Sequence, residues 1–79
     1  MKNLKLYYKE TCPFSQKVLK AIEDNNIKDV ELRNINEKDE YREELINIGG
    51  KEQVPCLFID EKPMYDSEDI IKYLVEEAK

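Results

Sequence analysis

Apolar and polar positions divide the chain into short segments with two different periods. Leu4-Lys5-Leu6-Tyr7-Tyr8 is short and partly alternating, which predicts a strand. Phe14, Val18, Leu19, Ala21 and Ile22 follow at helical spacing. Thr11 or Cys12 can cap that helix, Pro13 suits its first turn, and Asp24-Asn25-Asn26 stops it. A second strand is predicted around residues 30–35. A second helix is predicted over 37–48, with Asn36 as its cap and Tyr41, Leu45 and Ile48 as its apolar stripe. Gly49-Gly50 ends it, as glycine does past a helix C-terminus. The run 54–59 reads as a buried strand that begins with a proline. Residues 60–63 form a turn, Met64-Tyr65 a last short strand, and Asp66 or Ser67 caps a final helix with Ile70, Ile71, Leu74 and Val75 inward.

The order is β-α-β-α-β-β-α. Strand-helix-strand at the start predicts a parallel pair, and two strands across a tight turn near the end predict an antiparallel one. An α/β fold follows, with a four-stranded mixed sheet and helices on both faces. Seventy-nine residues suffice for one compact domain, expected to span 1–79 because the last helix runs to Lys79 without a linker. A net charge of −5 excludes a basic nucleic-acid footprint and disfavours an anionic membrane surface. No apolar run approaches the roughly 20 residues that span a bilayer, and the N-terminus lacks a signal-peptide core, so a cytoplasmic location is expected.

Chemistry narrows the picture further. There is no histidine, which removes the commonest general base and many zinc sites. Two cysteines cannot form a disulfide framework. Cys12 lies between a strand end and a helix start. There, unpaired backbone N–H groups and the positive end of the helix dipole stabilise a thiolate, the reactive form in disulfide exchange. Lys9 adds positive charge if the loop folds back. Ser15, three residues on, lies on the same helix face and could donate a hydrogen bond to the thiolate. Cys56 sits in a predicted core strand and reads as a buried core thiol, the lesser alternative being a resolving partner for Cys12.

Three segments together resemble the glutaredoxin family. Lys9-Glu10-Thr11-Cys12-Pro13-Phe14-Ser15 is similar to its active-site segment, Val54-Pro55 to its valine–cis-proline step, and Tyr65-Asp66-Ser67-Glu68-Asp69-Ile70 to its final glutathione-binding turn. The last also resembles the corresponding turn in glutathione S-transferase N-terminal domains. The resemblance covers essentially the whole chain and implies a thioredoxin fold. It implies that Cys12 attacks a glutathione mixed disulfide and that Pro55 is cis and opposite Cys12. By the same resemblance Val54 offers backbone hydrogen bonds to the cysteinyl part of glutathione, while Lys9 and Arg42 pair with its glycine carboxylate. Phe14 lines the groove, Ser67 and Glu68 hold the γ-glutamyl end, and Thr11, Gln53 and Asp66 complete the implied glutathione-binding set.

Ser15 stands where dithiol members of that family carry a second cysteine. Cys12 then cannot form an internal C-x-x-C disulfide, which implies a monothiol route in which a second glutathione resolves the adduct. The expected partners are glutathione as co-substrate and glutathionylated proteins or small mixed disulfides. A monomer without bound metal is expected. Two other readings remain at this stage. One is a carrier of a glutathione-ligated [2Fe-2S] cluster, against which Pro13 replaces that class's glycine and its short insertion is lacking. The other is a non-catalytic glutathione-binding module.

Overall fold

The structure is a computed structural model that describes residues 3–78, so the predicted run of the last helix to Lys79 ends outside the described residues. Its elements are β1 (Leu4–Tyr8), α1 (Pro13–Asp24), β2 (Val30–Asn34), α2 (Asp39–Gly49), β3 (Cys56–Ile59), β4 (Lys62–Met64) and α3 (Ser67–Tyr73), closed by a π-helical turn over Leu74–Ala78. The sheet order is β2-β1-β3-β4. β1 runs parallel to β2 and antiparallel to β3, and β4 pairs antiparallel with β3, as the element order requires. Among the described residues no helix is long and apolar enough to cross a membrane.

Strand alternation splits the interior in two. Leu4, Leu6 and Leu57 point to one face, where Val18 of α1, Ile27, Ile70 of α3 and Leu74 complete a buried cluster. Tyr7, Cys56 and Phe58 point to the other, against Ile35 and Leu45 of α2. Each fully buried leucine or isoleucine contributes about 1.5–3 kcal/mol relative to exposure. On the α2 side the buried Tyr7 carries a polar handle: its hydroxyl donates to Glu44 Oε1 at 3.2 Å and accepts from Arg33 Nη1 at 3.1 Å, joining β1, β2 and α2. Pro63 lies on β4, the sheet edge, where its missing N–H costs no ladder bond.

Several element boundaries differ from the sequence expectation. Asn36 does not cap α2. The Asn34 side chain accepts the Asn36 N–H at 3.0 Å and the Asn34 carbonyl accepts from Glu37 N at 3.0 Å, so a turn occupies these residues. Lys38 becomes the N-cap, without a side-chain hydrogen bond, and Asp39 and Glu40 sit favourably in the first turn. Ile48 is 50% exposed and does not belong to the buried stripe. The row facing the sheet is Tyr41, Leu45 and Gly49, four apart. A Cβ on Gly49 would collide with the Tyr65 hydroxyl and touch the Phe58 ring. Gly50 then takes the left-handed conformation, φ 86°, and ends the helix. β3 starts at Cys56, after a proline that has no N–H to donate, and β4 begins at Lys62, which reduces the connecting turn to Asp60-Glu61.

Candidate functional site

The turn between β1 and α1 delivers the sulfur. Cys12 N donates to Lys9 O at 3.2 Å, so the loop folds back and brings the Lys9 charge toward the thiol. Cys12 is the N-cap of α1 in extended conformation with Pro13 behind it, and its carbonyl accepts the Gln16 N–H at 3.0 Å. Its side chain makes no capping bond and is partly exposed. Ser15 is fully buried, not an exposed helix serine. Its hydroxyl oxygen accepts the Lys9 N–H at 3.3 Å, which leaves the hydroxyl proton free for the sulfur.

The electrostatics favour an anion. Partial burial opposes ionisation of Cys12, but the Ser15 backbone N–H, the Ser15 hydroxyl, the Phe14 N–H and the Lys9 charge outweigh it. The thiol pKa therefore lies below its ordinary value. In the neutral form the thiol is placed 3.9 Å from the Val54 carbonyl, a long sulfur contact that ties it to the loop before β3. The Val54–Pro55 peptide bond is cis, as the resemblance implied.

Beside the sulfur runs a groove of about 390 Å³ lined by Phe14, Gln53, Val54, Pro55, Tyr65, Asp66 and Ser67. Three separate stretches of chain thus converge: the start of α1, the loop before β3, and the start of α3. Phe14 is 56% exposed, with Lys17 Nζ 5.8 Å from its ring centre. Asp66 is the N-cap of α3 and accepts the Glu68 N–H at 2.9 Å, so capping and groove lining coexist in one residue.

Other expected residues lie outside that lining. Thr11 and Glu68 are exposed and do not line the groove. Arg42 does not line it either: its Nε faces the Glu52 carboxylate at 2.9 Å without hydrogen-bond alignment, so an internal carboxylate already stands at this cation. Lys9 acts on the sulfur from the turn rather than from the groove wall. Cys56 is fully buried and its thiol is pushed up to about 12, chiefly by burial. Tyr65 is the groove residue that site reasoning from the sequence missed. Its signal was available: an aromatic just after the last strand, which ends at Met64 and not at Tyr65 as expected, and directly before the capping residue. A larger hollow of about 840 Å³, lined among others by Asp60, Pro63 and Tyr73, holds none of the expected site residues.

Comparison with known proteins agrees with this architecture. The model of the glutathione S-transferase N-terminal domain family matches residues 6–79. No curated protein matches the chain by sequence. A glutathione S-transferase of Bombyx mori superposes with a TM-score of 0.80 at 24% identity, over 96% of this chain and 36% of its own. A thioredoxin-like protein matches over the whole of both chains, with a TM-score of 0.79 at 18% identity. Wheat glutaredoxin gives 0.68 at 20% identity, over 96% of this chain and 74% of its own. At these identities the likeness establishes a thioredoxin-like fold. The chain spans about a third of the length of the Bombyx transferase.

Proposed function

The chain belongs to the glutathione S-transferase N-terminal domain family, and from that premise we propose that it is a glutathione-dependent thiol–disulfide oxidoreductase working through Cys12 alone. The observation that carries this is a partly exposed sulfur of lowered pKa against a groove, with Ser15 where a second sulfur would stand. In the first step the Cys12 thiolate attacks the glutathione sulfur of a mixed disulfide. A Cys12–glutathione disulfide forms, the old disulfide breaks, and the substrate leaves as a thiolate that takes a proton from water. In the second step a glutathione thiolate attacks the adduct, releasing oxidised glutathione and restoring the Cys12 thiolate.

Each wall has a task in this scheme. Val54 supplies backbone hydrogen bonds to the cysteinyl part, Phe14 and Pro55 give apolar contact, and Gln53, Asp66 and Ser67 meet the polar ends of the tripeptide. Lys9 and the backbone N–H groups of Phe14 and Ser15 hold the leaving and attacking charge. Mass spectrometry after treatment with oxidised glutathione tests the proposal. One glutathione adduct, on Cys12, supports the monothiol route. An internal Cys12–Cys56 bond, or no adduct, overturns it.

A further inference from the structure

The loop over residues 50–54 supplies Gln53 and Val54 to the groove but is sparsely held. Gly50 N donates to Ile46 O at 2.9 Å, closing α2. Beyond that, outside the regular elements, none of Lys51, Glu52, Gln53 and Val54 donates a backbone-to-backbone hydrogen bond to another of the described residues. One side chain ties the end of α2, from which this loop departs, to the opposite wall. Tyr65 lines the groove, and its hydroxyl donates to the Gly49 carbonyl at 2.5 Å. Lys51 Nζ stacks 4.5 Å from the Tyr65 ring centre. A Cβ on Gly49 would run into the hydroxyl. Tyr65 is followed directly by Asp66 and Ser67, which form the far wall.

We propose that Tyr65 is a positioning residue that sets the width of the glutathione groove, by fixing residues 50–54 relative to Asp66 and Ser67 through its bond to Gly49. This rests on the reading of the groove as a glutathione site. The loop end of the groove is thereby assembled before ligand arrives, so the ordering cost of binding is lowered in advance.

Tyr65→Phe keeps the ring and removes only the donor. In the free protein, backbone order parameters at residues 51–54 should fall from about 0.85 toward about 0.6. With a small glutathione mixed disulfide, KM should rise about tenfold, the loss of roughly one hydrogen bond, while kcat stays within about twofold. The pH profile of Cys12 should not move. Gly49→Ala should raise KM in the same way by displacing the hydroxyl, and the double variant should be no worse than either single one. Unchanged order parameters overturn the proposal, as does a fall in kcat with a shifted pH profile, which would place Tyr65 on the sulfur. If the unaltered protein fails to turn over the mixed disulfide, the functional reading falls, and the order parameters alone decide on the clamp.

Discussion

Cys12 and Cys56 are the same side chain in opposite surroundings. Cys12 caps a helix, is partly exposed and is surrounded by donors and a lysine. Cys56 opens a central strand, is fully buried, and packs with Tyr7, Leu45 and Phe58 on the α2 face. One environment lowers the thiol pKa and the other pushes it up to about 12. What separates a reagent from a core residue here is the supply of N–H donors and water, not the residue type.

The largest effect expected from breaking the contrast is on turnover. Cys12→Ser should lower the rate with a glutathione mixed disulfide by at least about a thousandfold, because among the described residues no other thiol stands at the groove. Cys56→Ala should keep the rate within about threefold and instead cost about 1–2 kcal/mol of stability from the lost core contacts. Equal loss of turnover in both variants would dissolve the distinction.

Alkylation sharpens it chemically. The donors and the Lys9 charge hold the Cys12 thiol below its ordinary value, while burial pushes the Cys56 thiol up to about 12. Cys12 therefore carries more thiolate at neutral pH, and the lower nucleophilicity of a more acidic thiol returns only part of that advantage. Iodoacetamide at neutral pH should therefore label the partly exposed Cys12 at least about tenfold faster than the buried Cys56. Peptide mapping over time reads the ratio, and comparable rates would refute the assignment.

Ser15→Ala should raise the Cys12 pKa by deleting the hydroxyl, and it leaves the Lys9 N–H without its acceptor. The acid limb of the pH–rate profile should then move to higher pH, with kcat/KM near neutrality lower by about threefold to tenfold. An unmoved profile would remove Ser15 from the site.

The mildest effect lies at alkaline pH. In the unfolded chain Cys56 ionises near an ordinary thiol value of about 8.5, whereas in the fold it stays protonated to about 12. The unfolded state therefore binds fewer protons between these values. Stability from this group is fully present below the lower value and is lost by about 1.4 kcal/mol per pH unit above it. Denaturant midpoints measured from pH 8 to pH 10 should fall more steeply in the unaltered protein than in Cys56→Ala.

Most of the fold was legible because its elements obey simple periods. The β1 bounds, the α1 start at Pro13 and the sheet topology follow from alternation, a proline and element order. The misread boundaries have local causes. At Asn34–Glu37 a side-chain-capped turn outcompeted the expected helix start, and at Gly49 a backbone contact replaced the side chain expected from Ile48. The groove was legible in part. Phe14, Gln53, Val54, Pro55, Asp66 and Ser67 do meet in space. The partner of Arg42 was not readable, because ion pairing with Glu52 depends on a distance between elements that no local pattern encodes; Tyr65 stood in the quoted turn, but its donation to Gly49 was hidden for the same reason.

Among the described residues the sheet divides the interior into two packing units that share no buried side chain. The groove straddles that division: Phe14 belongs to α1 and Ser67 to α3 on one side, while Val54 and Tyr65 pack with the α2 side. A tripeptide lying there touches both halves at once and acts as a crossbar between layers otherwise joined through the strands. Occupancy should therefore be felt as a stiffening of one layer against the other, well away from the Cys12 sulfur.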